Sequence, residues 1–180
     1  MRIARLLGRL VIGGTFFAHG TQKLVGWFGG SGPDATGQMM DKLGMRPGKL
    51  NAIAAGSAES FGGLGIALGA FTPAAAAALI ATMLTAIRTV HLEKGFFATE
   101  GGYEYNLALI ASLVILVDGG PGSPSVDSAL GLDDTGSGWA LFALAAGAAG
   151  STLAIAAGSR AAQAPDHAPA PESQATPASN

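Results

Sequence analysis

The chain has no cysteine and few charged residues, and both absences limit what it can be. Without thiols it forms no disulfide, no thiolate metal site and no thiol relay of its own. Only 12% of its 180 residues are charged, whereas a soluble domain carries roughly 25%. Because the deficit extends over most of the chain, too few charges remain to cover a water-facing surface. Most of the chain is therefore expected to face lipid or its own core.

Hydrophobic residues are abundant instead, at 49% of the chain, with a mean hydropathy of +0.40. A membrane-spanning helix needs about 20 mostly apolar residues, because backbone polar groups cannot remain unpaired in hydrocarbon. Five apolar segments approach that description: residues 3–19, 50–71, 72–91, 103–117 and 139–157. We predict an all-α membrane protein integral to the plasma membrane. A net charge of −2 without any basic cluster predicts no nucleic-acid partner.

The first segment has an alternative interpretation as a cleaved signal peptide. Arg5 and Arg9 precede a short apolar run, Leu10–Ala18, which is the order of such a peptide. The run lacks a small-x-small cleavage site, however, which favours a retained helix. In that case the long stems of both arginines carry their guanidinium groups towards the lipid headgroups.

The chain is expected to divide into three regions. Residues 1–136 form a four-helix membrane domain, residues 137–158 add a further transmembrane helix, and residues 159–180 form a disordered tail rich in Ala and Pro. Two longer loops, 20–49 and 119–138, connect the predicted helices.

Glu59 is the most conspicuous polar residue, because it lies inside the second apolar segment. The helical rise places it near the middle of the membrane. An isolated carboxylate there is expected to stay protonated or to find a cation. Two interpretations remain open: a functional group, or a hydrogen-bonded acid that fixes helix packing.

A second polar group is predicted where the third segment ends and the fourth begins. Arg88 and His91 are three residues apart and share one face of an α-helix, while Glu104 and Asn106 follow a short loop. A guanidinium, an imidazole and a carboxylate together can hold an anion or exchange protons with a quinone headgroup. The alternative is an interfacial ion-pair cluster that anchors two helix ends.

His19 and Lys23 follow the first segment. In an antiparallel count of spans, the first and third segments end on the membrane face where the fourth begins. His19 and Lys23 are therefore additional candidates at the face of His91 and Glu104. The three histidines, His19, His91 and His167, have no metal-pair spacing on one helix, and no metal site is predicted.

Ordered motifs along residues 3–130 resemble those of the DoxX family of small membrane proteins. They are Leu6-Leu7-Gly8-Arg9, His19-Gly20-x-x-Lys23-Leu24, Glu59-x-x-Gly62-Gly63, His91-x-x-x-Gly95-Phe96-Phe97, Gly102-Tyr-Glu104-Tyr-Asn106 and Gly120-Pro121-Gly122-x-x-Ser125-Val126-Asp127. The resemblance implies a bundle of four family-like transmembrane helices, to which this chain adds a fifth C-terminal helix. It also implies association with redox enzymes, since the family is named after a subunit of a thiosulfate:quinone oxidoreductase.

Three functions are compatible with this sequence. The first is an integral membrane subunit of a redox assembly, such as a membrane oxidoreductase subunit, with the face of Arg88, His91 and Glu104 near a quinone or a small anion; the sequence leaves the cofactor open, and quinone is one candidate. The second is a non-catalytic scaffold that recruits a soluble redox enzyme, and the third is a small transporter. Transporters usually show repeated halves with broken helices, which this sequence lacks. The expected partners are the lipid bilayer, a redox enzyme and a second copy of the chain.

The distribution of basic residues gives two opposing indications of orientation. With five spans, three arginines lie on the N-terminal side: Arg2, Arg5 and Arg9. Seven basic residues lie on the other side: Lys23, Lys42, Arg46, Lys49, Arg88, Lys94 and Arg160. Simple counting places the N-terminus outside, whereas the dense arginines beside the first helix favour the inside. The family resemblance leads us to expect the N-terminus inside.

Overall fold

The computed structural model describes residues 2–132 and 134–163, which form seven α-helices joined by short loops and turns. The helices are α1 (Arg2–Val25), α2 (Gly32–Lys42), α3 (Gly48–Leu68), α4 (Thr72–Ala86), α5 (Glu104–Gly119), α6 (Val126–Leu130) and α7 (Ser137–Gln163). No β-strand occurs in the described residues, and the all-α prediction is confirmed.

The five apolar segments correspond to the five long helices α1, α3, α4, α5 and α7. The helix ends differ from the predicted ones, since α1 continues to Val25 and α7 continues to Gln163. The tail predicted for residues 159–180 thus begins inside α7, because the Ala-rich sequence up to residue 163 still favours a helix. Residues 164–180, which include His167, lie outside the described residues.

Helix α2 was missed by the sequence analysis, which assigned the whole of residues 20–49 to a loop. The helix has the expected local signals, with Pro33 in its first turn, Asp34 near its N-terminus and Lys42 in its last turn. Its glycines and polar residues interrupt the apolar positions, so the periodicity of apolar residues does not predict a helix there. The side of α2 that includes Thr36 and Gly37 is buried.

Glycines allow α1 and α3 to pack in antiparallel contact along most of their lengths. A Cβ on Gly13 would lie 2.4 Å from the carbonyl oxygen of Gly63, and a Cβ on Gly20 would lie 2.4 Å from the amide nitrogen of Ser60. Contacts this short mean that the two backbones touch where side chains would normally separate them. The position of α1 against α3 is therefore fixed by residues without side chains.

The hydrophobic core lies between α4, α5 and α7. Leu79, Ile80, Leu113, Val117 and Ala143 are all fully buried there. Helix α7 runs parallel to α4, with Gly147 against the Ile80 side chain near the middle of both helices. The added C-terminal helix consequently shares a core with the long helices that precede it.

Two of the five predicted spans meet a length and hydropathy criterion for crossing a membrane, among the residues described. They are Thr72–Lys94, which continues α4 through a π-helical turn, and Ser137–Gln163. Helices α1 and α3 include charged or polar residues and α5 has 16 residues, or about 24 Å of helix against a hydrocarbon core of roughly 30 Å. For α1, α3 and α5, crossing of the membrane remains a prediction.

The helix directions define two ends of the bundle. The histidine end contains the C-termini of α1, α4 and α7 and the N-termini of α3 and α5, together with His19 and His91. The arginine end contains the opposite termini, residues 120–132 and 134–136, and the side chains of Arg5 and Arg9. His19, Lys23, Arg88, His91 and Glu104 thus belong to one end of the bundle, as the count of alternating helices predicts.

Candidate functional site: a buried lysine–glutamate pair

Lys23 and Glu59 form an ion pair between α1 and α3, in which Lys23 Nζ donates to Glu59 Oε2. Only 5% of the Glu59 side chain is exposed, against 24% for Lys23. Lys23 Nζ also lies 3.3 Å from the carbonyl oxygen of His19, to which it donates. The Glu59 carboxylate in the second apolar segment is therefore paired with a cation of the first helix.

The surroundings of the pair are tightly packed on one side and open on the other. Ser60 follows Glu59 in α3, and its buried Oγ has no hydrogen-bond partner among the described residues. A Cβ on Gly20 would lie 2.3 Å from this oxygen, so α1 closes over it. On the open side, His19 is exposed one turn before Lys23. The titratable groups thus run from an exposed imidazole through a partly exposed ammonium to a buried carboxylate.

Arg88, His91 and Glu104 each bond a different partner. Arg88 Nη1 donates to Thr152 Oγ1 of α7 at 3.2 Å, while Glu104 Oε1 accepts from the Ala98 amide at 3.0 Å. His91 Nδ1 lies 2.6 Å from the carbonyl oxygen of Gly101. No ion pair joins any of these three side chains to another among the described residues. They hold together the loop and helix ends at the histidine end.

The local backbone explains why Arg88 and His91 separate. Residues Ile87–His91 form a π-helical turn, in which more residues complete each turn than in an α-helix. The three-residue spacing that places two side chains on one α-helical face does not apply there. Arg88 accordingly contacts α7, whereas His91 contacts the loop that leads to α5.

Asn106 is buried in α5, close to Glu104 in sequence but in different surroundings. Its Nδ2 donates to the sulfur of Met83 at 3.4 Å, so it joins α5 to α4 inside the bundle. This contact turns its side chain towards the core and away from the hydrogen bonds made by Glu104.

Arg9 is a buried polar residue for which the sequence analysis expected a position at the headgroups. It is 2% exposed, and Nη2 donates to the carbonyl oxygen of Pro124 at 2.6 Å. Nε and Nη1 have no hydrogen-bond partner among the described residues. The guanidinium is enclosed because the loop before α6 folds across the end of α1.

In the sequence Asp127 is only the last residue of a motif, but in the structure its side chain bonds the first residues of α4. Its carboxylate accepts from the Phe71 amide at 2.6 Å, the Thr72 amide at 3.0 Å and Thr72 Oγ1 at 2.6 Å. A carboxylate at a helix N-terminus satisfies amides that have no partner within the helix. Its position in a Gly/Pro/Ser-rich motif after the fourth segment is the only sequence signal for this role.

An apolar groove of about 480 Å³ lies between α3 and α4, lined among others by Phe61, Leu68, Phe71 and Ala75. Neither Lys23 nor Glu59 lines it. The groove and the ion pair are separate features on different sides of α3. Among the described residues, no group of three His, Cys, Asp or Glu side chains is arranged to hold a metal ion.

Comparison with known proteins gives one result. Residues 4–92 match the model of the DoxX family, so the match includes α1, α3, α4 and the Lys23–Glu59 pair. Searches of curated proteins and of solved structures gave no match. The family resemblance seen in the motifs is confirmed over this region, while the motifs quoted beyond residue 92 lie outside it.

Proposed function

The chain belongs to the DoxX family through residues 4–92, and we propose that it is an integral membrane subunit of a redox assembly in the plasma membrane. In this proposal the Lys23–Glu59 pair exchanges protons with a quinone-type electron carrier. The observation that carries the proposal is the burial of this ion pair between α1 and α3.

A buried ion pair is a poor device for stability alone. The free-energy cost of removing two charges from water often matches or exceeds their mutual attraction. A protein with apolar residues of similar size in place of the pair is therefore frequently as stable. Ionisable residues inside membrane helices accordingly mark functional sites more often than structural ones. Lys23 and Glu59 fit that interpretation because one member is deeply buried while the other is partly exposed.

The residues around the pair fit a quinone headgroup. Lys23 offers an N–H donor suited to a carbonyl oxygen, and His19 provides a titratable group at the surface next to it. Reduction of a quinone to a quinol consumes two electrons and two protons. The electrons come from a partner redox enzyme, and the protons reach the carrier along His19, Lys23 and Glu59.

The test begins with purification of the full chain in a mild detergent. Mass spectrometry then identifies co-purifying proteins and lipids, and quinone binding is measured by titration with a short-chain quinone. We expect Glu59→Gln and Lys23→Met to weaken quinone binding by at least about tenfold, the effect of losing roughly 1.4 kcal/mol of binding free energy. A chain that binds no quinone, or whose variants bind it like the wild type, would overturn the quinone role.

The exposed ion pair between Lys49 and Asp34 gives a matched control. Its N–O distance is 2.7 Å, and its side chains are 62% and 74% exposed. Lys49→Met and Asp34→Asn make the same chemical changes at a pair that water already solvates. Both control variants should bind the quinone like the wild type.

A second candidate function is a scaffold that recruits a soluble redox enzyme without exchanging protons. Exposed aromatic side chains at the histidine end favour it, among them Trp27, Phe28, Phe96 and Phe97. Such residues are enriched at protein interfaces, although they also occur where helices leave a membrane. Under this alternative a redox enzyme co-purifies equally with the wild type and Glu59→Gln, and substitution of Phe96 and Phe97 by Ser releases it.

A further inference from the structure

The arginine end contains a polar cavity that lies apart from the Lys23–Glu59 pair. Its volume is about 360 Å³, and it opens between the start of α1 and residues 119–132, with Thr135 also in its wall. Arg5, Ser123 and Ser128 contribute polar side chains to its wall, and glycines form much of the rest. Among the described lining residues none has a carboxylate, and Arg5 is the ionisable one.

Arg5 lies against the glycine-rich loop of this wall. A Cβ on Gly122 would lie 3.1 Å from Arg5 Cδ and 3.6 Å from Arg5 Nη1. The absence of a side chain at Gly122 therefore leaves room for the arginine stem at the edge of the cavity. The guanidinium remains exposed, and no hydrogen bond or ion pair engages it among the described residues.

A second arginine, Arg9, contacts the same loop. Arg9 lies four residues after Arg5, on the same face of α1, and its Nη2 is bonded to the carbonyl of Pro124. No carboxylate oxygen lies within 4 Å of the Arg9 guanidinium among the described residues. Asp127 nevertheless interacts electrostatically with Arg9 and offsets part of its charge, so Arg5 is the cation that the cavity itself presents.

Two described carboxylates near the cavity, Asp127 and Asp118, are already engaged, and Asp134 does not line the cavity. Asp127 accepts three hydrogen bonds from Phe71 and Thr72, and Asp118 Oδ1 accepts from Ser137 Oγ at 2.9 Å. We propose that the cavity lined by Arg5, Ser123 and Ser128 binds a phosphate-type oxyanion. Arg5 contacts the anion with its planar guanidinium, and the hydroxyls of Ser123 and Ser128 complete the site.

Two sources can supply such an oxyanion: the headgroup of an anionic phospholipid or free phosphate from solution. The full chain in an uncharged detergent distinguishes them. Native mass spectrometry with phosphatidylglycerol, and with phosphatidylcholine as the zwitterionic reference, measures the lipid. Titration with inorganic phosphate, followed by the unfolding temperature, measures the free anion. Selective retention of phosphatidylglycerol identifies a lipid headgroup, and a saturable rise with phosphate identifies a free anion.

Variants of Arg5 decide whether this cavity is the site. Arg5→Gln removes the guanidinium from an exposed position and should weaken binding by roughly tenfold or more. Arg5→Lys keeps the positive charge but loses the planar set of N–H donors. Its affinity for the anion should therefore lie between that of the wild type and that of Arg5→Gln. Arg160→Gln removes an exposed arginine from the last turn of α7, at the histidine end, and should bind like the wild type.

Three results would overturn the assignment. They are binding of neither phosphatidylglycerol nor phosphate, equal losses in Arg5→Gln and Arg160→Gln, and affinity unchanged in Arg5→Gln. Equal losses would mean that the anion responds to the general surface charge. The unfolding temperature of Arg5→Gln without ligand should match the wild type, since Arg5 is exposed and bonds no described residue. That measurement separates lost binding from lost folding.

Discussion

The Lys23–Glu59 pair predicts an asymmetric response to the removal of its two members. The Glu59 side chain is only 5% exposed. Lys23→Met therefore leaves the Glu59 carboxylate buried and without a cation. Breaking a fully buried pair in this way costs about 3–5 kcal/mol. Protonation of Glu59 limits that cost, because a neutral acid is cheaper to bury than a carboxylate. We expect Lys23→Met to lower the free energy of unfolding by about 2–4 kcal/mol.

Glu59→Gln should be milder than Lys23→Met. The Lys23 side chain is 24% exposed and has a flexible stem, so its ammonium can turn to water and also keep the bond to the His19 carbonyl. The remaining cost is the lost charge-assisted hydrogen bond, about 1–2 kcal/mol. Glu59→Lys should be the most damaging change, because it buries a second cation beside Lys23.

A double-mutant cycle completes the test, with Lys23→Met and Glu59→Leu as the single variants and Lys23→Met/Glu59→Leu as the double variant. Replacing both charges by apolar side chains removes the desolvation cost together with the attraction, so the loss should be smaller than the sum of the single losses. Contacting residues typically show coupling energies of about 0.5–3 kcal/mol, and hydrogen bonds in membrane proteins lie towards the lower end. We expect a coupling of about 1–2 kcal/mol for this pair.

Unfolding by a denaturing detergent, followed by circular dichroism, measures these free energies in micelles. The exposed pair of Lys49 and Asp34 is the reference cycle, with an expected coupling below about 1 kcal/mol. Two results together would refute the reasoning: equal losses in Lys23→Met and Glu59→Gln, and losses of Lys23→Met and Glu59→Leu that simply add in their double variant. Such a result would mean that water or detergent already solvates Glu59.

Three further changes test other parts of the bundle. Gly13→Ala should destabilise the chain by about 1–3 kcal/mol because its methyl group would meet the Gly63 carbonyl, whereas Gly14→Ala has open space and should be neutral or slightly stabilising in the same unfolding assay. Asp127→Asn should cost about 1–2 kcal/mol, since an amide accepts fewer of the bonds offered by the first turn of α4, and an unchanged midpoint would contradict that role. An alkaline phosphatase fused after Arg160 should be active, as expected for an N-terminus inside; a uniformly cytoplasmic reporter would contradict the orientation or the number of spans.

The positions of the five long helices follow from hydropathy because each one is apolar over most of its length. Helix α2 does not, since its eleven residues include glycines, a proline and several polar side chains without an apolar stripe. The π-helical turn at Ile87–His91 has no sequence signal either, and it changes which neighbours Arg88 and His91 contact. Small changes of backbone geometry thus defeat a prediction based on α-helical spacing.

The partner of Glu59 was missed for a different reason. Burial of an acid in an apolar helix indicates that a cation must lie near it, and Lys23 was expected at the same membrane face. Their contact, however, depends on the register of α1 against α3, which glycines set through backbone contacts at Gly13 and Gly20. Side-chain patterns carry no information about such a register. Arg9 shows the same limit, because its burial depends on a loop more than 100 residues further along the chain.

Helix α1 contributes to both proposed sites, and the distance between them makes their independence testable. Arg5 and Lys23 lie about 27 Å apart along the helix, at a rise of about 1.5 Å per residue. This separation exceeds the distance of about 7–10 Å beyond which substitutions usually act additively, and it exceeds the screening length of about 8 Å at physiological salt. The combined variant Arg5→Gln/Glu59→Gln should therefore lose oxyanion binding like the first single variant and quinone binding like the second. If either loss depends on the other substitution, α1 must move as a rigid body between two positions against α3. The backbone contact between Gly13 and Gly63 opposes such a movement, because sliding would separate the residues that permit the close approach.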